Sequence, residues 1–359
     1  MKTTIIGAGG VGLALGTCLH ASGAALRFVV RDPRRPHPVE TRGIARSGRF
    51  GEATVPPGAA EVLPGVDALS GTAPDFVLVC TKTTAIPAVA EALGRVWHAL
   101  GSEPLVVLCQ NGWGSAERLA AHVPRDRIFN ARVITGFARD DESTVRVTAH
   151  AEPIHIGSLF REPATRVEPL ARAIDAGGLP CRTTDTIEAD LLAKLLYNCL
   201  LNPLGALLAV PYGRLAASAE TRRMMERVAE EVFAVLDATG RHTHWSDAAA
   251  YLETFHRDLL PPTAEHASSM LQDLSAGRET EIEALNGAVV RMGAAHGVPT
   301  PVNAALTALV HAAERRAGAG GGDGTTEGGS DATAPGEPVD QRPRKTGGRF
   351  SRKARTPSA

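Results

Sequence analysis

The sequence predicts an α/β half built on a doubly wound parallel sheet, followed by an all-helical half. Two observations carry this. Short β-branched apolar runs alternate with helical stretches up to about residue 183, and the strand pattern then stops. The first run opens directly into a glycine-rich turn and a helix, the start of a nucleotide-binding unit. At 359 residues the chain has room for two cores. The divisions expected are 1–183 for the sheet domain, 184–316 for the helical domain and 317–359 for a disordered Gly-rich, then basic, tail.

Thr3-Thr4-Ile5-Ile6 is a strand that runs into Gly7-Ala8-Gly9-Gly10-Val11-Gly12; a helix follows over Leu13–Ala21, and a second strand over Leu26–Val30. The G-x-G-x-x-G pattern is weak alone but specific between a strand and a helix at this spacing. Gly7 permits the tight turn, Gly9 lets a pyrophosphate approach the backbone, and Gly12 lets the helix pack on the strand. The amides of the helix N-terminus then face the phosphates. After the second strand comes Arg31, with Arg34 and Arg35 close behind. A guanidinium at that place suits a 2′-phosphate and predicts NADPH. A one-residue shift of the strand end would put Asp32 there instead, and at least one of Arg34 and Arg35 reads as part of a solvated basic loop.

Asp75–Cys80 leads into Thr81-Lys82, and Leu105–Cys109 leads into Gln110-Asn111-Gly112, with a helix expected over Ile86–Leu100 between them. Such runs fit central parallel strands, whose carboxyl ends face the ligand, so Lys82 and Asn111 are placed there. Ile128–Ile134, Thr144–Thr148 and Pro153–Gly157 read as further strands in an antiparallel extension. His155 is expected to pack at the sheet edge.

The helical half opens on Leu191-Leu192-Ala193-Lys194-Leu195-Leu196-Tyr197-Asn198-Cys199-Leu200-Leu201-Asn202-Pro203. Lys194, Asn198 and Asn202 are four residues apart, so they share one face of a helix otherwise filled by leucine. A buried ammonium or amide without partners costs a few kcal/mol, about 2 or more. The stripe therefore faces a ligand, solvent or an internal polar ladder. Asp185 and Glu188 have capping-box spacing at the start of this helix, and Pro203 should kink it and free a carbonyl near Cys199. Further helices are expected over 219–239, 247–257, 264–276, 279–296 and 302–315.

Composition narrows the class. The net charge of −1 gives the whole chain no polyanion-binding signature. Seven basic residues between Asp340 and Ala359 leave 31 basic against 38 acidic residues on the remainder. The basic tail reads as solvated, and no specific nucleic-acid partner is expected. Five scattered cysteines without CxxC spacing suggest a reducing compartment and no metal. With no signal segment and no apolar run of 18 residues, the chain is expected to be cytoplasmic and without a membrane span.

The glycine turn, Arg31, Lys82, Gln110-Asn111-Gly112 and Lys194-x-x-x-Asn198-x-x-x-Asn202-Pro203 together resemble the ketopantoate reductase (2-dehydropantoate 2-reductase) family. Ser268-Ser269-Met270-Leu271-Gln272-Asp273, then Thr280-Glu281-Ile282-Glu283 and Asn286-Gly287, are similar to that family's C-terminal signature. The resemblance spans roughly residues 1–313. It implies a Rossmann-type domain joined to a helical domain like that of 6-phosphogluconate dehydrogenase. It also implies NADPH-dependent reduction of 2-dehydropantoate to (R)-pantoate, in pantothenate and coenzyme A biosynthesis. By the same resemblance Lys194 is the catalytic lysine and Glu281 acts beside the lysine or the substrate. Asn198, Asn202 and Ser269 hold the substrate, while Lys82 and Asn111 lie near the nicotinamide ribose and the reacting centre. Asp273, one turn after Ser269, is a further candidate. Lysine suits the chemistry, because an ammonium can neutralise and protonate the alkoxide formed when a ketone takes up hydride. The family usually continues Leu-Thr after Asn-Pro, whereas Leu204-Gly205 stands here. That glycine suggests extra room near the substrate and keeps another 2-oxo acid open. A non-catalytic NADPH-binding sensor would need catalytic residues lost, and none is. The expected partner is a small 2-oxo acid, with a homodimer left open.

Overall fold

A computed structural model describes residues 1–31 and 36–319. The expectations for Asp32, Arg34, Arg35 and the tail beyond 319 lie outside the described residues. β1 (Lys2–Ile6), α1 (Gly10–Ala21) and β2 (Ala25–Val29) open the chain, then α2 (Pro38–Thr41), β3 (Ile44–Gly48), β4 (Ala53–Val55) and β5 (Ala60–Leu63). β6 (Phe76–Val79), α3 (Ile86–Val96), β7 (Leu105–Leu108), α4 (Ser115–Leu119) and β8 (Ile128–Arg132) follow. β9 (Thr135–Arg139), β10 (Thr144–His150), β11 (Ile154–Gly157), α5 (Glu168–Ala176) and β12 (Cys181–Thr183) complete the α/β half.

The main sheet has the order β12-β11-β8-β7-β6-β1-β2-β5. Only β8 and β11 pair antiparallel; every other neighbouring pair is parallel. Alternation across the pleat sends Ile5, Leu78 and Val107 to the layer with α1 and α5, and Ile6, Val77, Val79 and Val106 to the layer with α3. Both faces are therefore covered, as the unbroken apolar runs required.

The antiparallel extension is narrower than expected. β8 is parallel to β7, and β10 leaves the main sheet for a second one ordered β4-β3-β10-β9. That small sheet packs on α1 through Val145, Val147 and Phe137, so its alternating residues serve a different core face. His155 does not lie at the edge either: β12 pairs beyond β11.

The second half is helical: α6 (Ile187–Leu208), α7 (Tyr212–Ala217), α8 (Ala219–Thr239), α9 (Ala248–Thr254), α10 (Ser269–Ser275), α11 (Asn286–Ala295) and α12 (Pro301–Ala319). α6 is its axis. Leu195, Leu196, Leu200 and Leu201 are at most 1% exposed, and each such burial contributes about 1.5–3 kcal/mol. By length and mean hydropathy α6 is apolar enough to cross a membrane, although Glu188, Asp190 and Lys194 interrupt it. Most of it is buried inside the protein, where it forms the helical core.

Three local expectations are corrected. Asp185 and Glu188 form no capping box. The helix starts from Thr186, whose amide is held by Thr184 Oγ1 at 3.1 Å, and Glu188 pairs with Arg241 instead. The helix expected over 264–276 shrinks to α10, capped by Ser268 Oγ on the Leu271 amide at 3.0 Å. The carbonyls of Ala264 and His266 accept from Gly213 and Tyr212, at the start of α7. The helix expected over 279–296 breaks at Leu285, because the Ala284 carbonyl turns out to accept from the Trp113 amide at 2.8 Å.

α6 continues through Pro203, and the carbonyl left without an intrahelical partner is that of Cys199. Asn286 Nδ2 donates to it at 3.2 Å and to Asn303 Oδ1 at 2.9 Å, all fully buried. Asn286→Ala should cost about 1–3 kcal/mol in urea unfolding. In a Pro203→Ala background, where residue 203 regains an N–H for Cys199, the cost should shrink by about 1 kcal/mol. Equal costs in both backgrounds would refute this pairing.

Candidate active site

The strand order reverses at β1, which lies between β2 and β6, so the ligand crevice opens at their carboxyl ends. Gly7 leaves β1 at φ +106°, and a Cβ there would stand 3.0 Å from the Thr81 amide nitrogen. A Cβ on Gly12 would lie 2.1 Å from the Gly7 carbonyl oxygen, so α1 approaches the turn as only glycine allows. Ala8, Gly9, Gly10 and Val11 form the half-buried lip. α1 begins at Gly10 with no side-chain cap and no acid in its first turn. Its N-terminal amides and dipole are thus available to an anion, and the cradle fits a dinucleotide pyrophosphate. Phe137 of β9 closes one side against Gly10. Arg31 is exposed just past β2.

Below this turn the two halves of the chain meet at Lys194. Its Nζ donates to Asn111 Oδ1 at 2.6 Å and to the Val133 carbonyl at the end of β8. Asn111 Nδ2 donates in turn to Glu281 Oε2 at 3.2 Å. Glu281 Oε1 accepts from the amide of Thr83 at 2.9 Å and from its hydroxyl at 3.1 Å. Asn111 therefore bridges acid and lysine with its oxygen toward the ammonium and its nitrogen toward the carboxylate.

The loop that carries Asn111 is fixed on both sides. Gln110 Nε2 donates to the carbonyls of Val79 at 2.7 Å and Thr81 at 3.1 Å. Gly112, at φ +79°, lies so near Ala284 that a Cβ would be 2.2 Å from its carbonyl oxygen. Sequence reasoning left open whether burial or Glu281 would prevail at the half-buried Lys194. Burial prevails: it lowers the pKa to about 8, with Arg132 in the same direction and Glu281 and Cys109 opposing.

The other candidates are arranged around this set. Asn198 and Asn202 are buried on the same face of α6, and Asn202 Oδ1 accepts from the Tyr212 hydroxyl at 2.7 Å. Ser269 is exposed at the start of α10; its neighbour Ser268 reaches the Asn202 carbonyl at 3.5 Å. Lys82 and Asp273 form an ion pair at 2.6 Å, and Arg278 shares the same carboxylate oxygen. No hydrogen bond among the described residues ties Asn198, Ser269 or Arg31 to the lysine set. A Cβ at Gly205 would make ordinary contacts with the Val210 carbonyl at 3.4 Å and with the ring of Tyr212, the residue that bonds Asn202, at 3.7 Å. Thr83 and the Val133 carbonyl escaped sequence reasoning, and a backbone acceptor leaves no trace in sequence. Asp190 escaped too, although it continues the four-residue stripe of Lys194.

Comparison with known proteins gives the chain's family. Residues 3–160 match the model of ketopantoate reductase PanE/ApbA, and residues 186–314 that of the ketopantoate reductase PanE/ApbA C terminal. A 2-dehydropantoate 2-reductase of Aquifex aeolicus (strain VF5) is 34% identical over 319 residues, covering 88% of this chain and 97% of its own. One from Halobacterium salinarum is 34% identical over 67% of this chain and 76% of its own. A crystal structure of a PanE/ApbA family ketopantoate reductase from Ralstonia eutropha JMP134 is similar with TM-score 0.76 and 30% identity, over 88% of this chain and 99% of that one. D-mandelate dehydrogenase in a ternary structure with NADH and anilino(oxo)acetate shares the fold at TM-score 0.77 and 22% identity, over 88% and 99%.

Gly12→Ala should weaken dinucleotide binding about tenfold or more, since the added methyl must displace the turn that it touches. Fluorescence titration with NADPH checks this, and unchanged affinity in a folded variant would contradict the cradle.

Proposed function

Because the chain belongs to the ketopantoate reductase PanE/ApbA family, we propose that it reduces 2-dehydropantoate to (R)-pantoate with NADPH, in pantothenate and coenzyme A biosynthesis. The observation that carries this reading is the Lys194–Asn111–Glu281 set, in which one ammonium stands where sheet and helices meet. In this reading residues 1–183 bind the nucleotide and residues 184–316 supply most of the substrate contacts.

The reduced nicotinamide, when bound, supplies the hydride to the ketone carbon. Lys194 Nζ–H stabilises the oxygen as it gains negative charge and gives it a proton, leaving a neutral hydroxyl and a neutral amine. Glu281 has no contact with the substrate in this scheme; it holds the Asn111 amide so that Oδ1 fixes the ammonium. Asn198 and Asn202 hold the substrate's carboxylate and hydroxyl. Tyr212 occupies the Asn202 oxygen and so leaves the amide N–H groups to point at acceptors. Ser269 contributes a hydroxyl from the start of α10. Gly7 to Gly12 cradle the pyrophosphate, Lys82 lies near the nicotinamide ribose, and Arg31 meets the 2′-phosphate.

The test is NADPH oxidation followed with 2-dehydropantoate, beside 2-oxoisovalerate and pyruvate, with NADH as control. Saturable turnover preferring 2-dehydropantoate and NADPH is expected; preference for either other acid would assign the same site to a different 2-oxo acid.

Lys194→Ala should lower kcat by about a thousandfold or more, and a loss of only a few-fold would remove lysine from the mechanism. The lysine must be protonated to act, so kcat/KM for reduction should hold below its pKa of about 8 and fall as pH rises through it. A flat profile to pH 10 or so would contradict that assignment. Arg31→Ala should raise the KM for NADPH about tenfold and leave that for NADH nearly unchanged. Equal effects on both would place the 2′-phosphate elsewhere.

A further inference from the structure

Asp190 lies one helical turn before Lys194 on α6 and is only 4% exposed. Its carboxylate takes two histidines: His155 Nδ1 is 2.6 Å from Oδ2, and His244 Nε2 is 2.8 Å from Oδ1. His155 is buried on β11, and Arg182 of β12 donates from Nε to its Nε2 at 2.7 Å. An arginine N–H can only donate, so Nε2 accepts from Arg182 and Nδ1–H is left to donate to the Asp190 carboxylate. Arg132, also buried, brings Nη2 to 3.1 Å from His155 Nδ1 and to 2.5 Å from Glu152 Oε2. The residue after Arg132 is Val133, whose carbonyl accepts from Lys194.

Burial pushes the Asp190 carboxyl up, but the His155 hydrogen bond, the Arg132 charge and His244 together hold it below the usual carboxylate range. Buried ion groups of this kind return little stability for their desolvation. Their placement, between the strand end that receives the lysine and the helix turn beneath it, has a clearer use. We propose that Asp190 and His155 are positioning residues for the reduction, clamping the end of β8 to α6 so that Arg132 and Val133 bear on Lys194. This deepens the functional reading above and rests on it only for the effect on turnover.

The groups that face Lys194 are Glu281 from the segment before α11, Cys109 after β7 and Arg132 on β8, beside the neutral Asn111 and Val133 carbonyl. Arg132 is the like charge among them, and Asp190 is its buried counter-charge. Arg132→Gln should therefore raise the Lys194 titration midpoint, whereas Asp190→Asn should lower it, each by about half a pH unit or more. Asp190→Glu should bring it back toward wild type.

The chain has only five lysines, Lys2, Lys82, Lys194, Lys345 and Lys353, so 13Cε-lysine NMR can follow each one, with Lys194 assigned by its loss in Lys194→Arg. Opposite shifts in the two variants, restored by glutamate, with kcat down about tenfold and the KM for NADPH nearly unchanged, are expected. Midpoints that stay at the wild-type value, or move together, in variants with native circular dichroism would overturn the proposal. If Asp190→Asn fails to fold, Arg132→Gln and Asp190→Glu decide by the same readout. If the midpoints move as expected while Lys194→Ala still turns over, the clamp stands and the reduction mechanism is what fails.

Discussion

An ammonium held in the middle of a leucine helix is the constraint on which the rest of this structure depends. Among the described residues no neighbour on α6 hydrogen-bonds Lys194: Asp190, one turn before it, is taken by His155 and His244, and the helix backbone is already paired, so the lysine's partners have to come from elsewhere. They arrive from two strand ends, as Asn111 and the Val133 carbonyl, and Asn111 is held by Glu281 from the far side of the helical half. The doubly wound sheet makes this feasible because it directs several carboxyl ends toward one crevice. Chemistry and architecture therefore share one solution: the ligand crevice is also where the helical core obtains the polar partners that its own sequence lacks.

Much of this was legible in the sequence because its signals are local. The strand-turn-helix of residues 3 to 21 reads directly, since turn geometry and close packing leave glycine no substitute at Gly7 and Gly12. The Lys194–Asn198–Asn202 stripe reads because four-residue spacing on an apolar helix has one geometric meaning. Readings failed where a distant segment competed for the same backbone. Trp113 takes the Ala284 carbonyl and breaks a helix that Glu279 to His296 would otherwise favour. The Gly213 and Tyr212 amides do the same to residues 264 to 266. Glu188 had the right spacing for a cap and found Arg241 instead. β3, β4, β5 and β9 are strands of three to five residues, too brief for a local pattern to announce them, although β3 with β4 and β9 with β10 pair as near neighbours in the chain.

The polar groups separate along a similar line. Residues that face the crevice stand out because they interrupt apolar runs. Buried groups that neutralise one another, such as Asp190, His155 and Arg132, resemble ordinary surface polarity in a sequence and become visible only as distances. Pro203 shows both cases at once: its missing N–H was predictable, and the side chain that answers it, Asn286, was not.

The tie between Trp113 and Ala284 bears on how such chains can be recombined. Residues 110 to 113 belong to the sheet half by sequence, yet Gly112 and Trp113 are docked into the helical half within van der Waals distance of Ala284. A chimera that exchanges the helical half of two homologues at residue 183 would leave this loop with the wrong host. Its seam would run between Asn111 and Glu281, through the set around Lys194. A graft that moves residues 110 to 113 together with the helices keeps that set whole, so the natural unit of exchange is discontinuous in the chain.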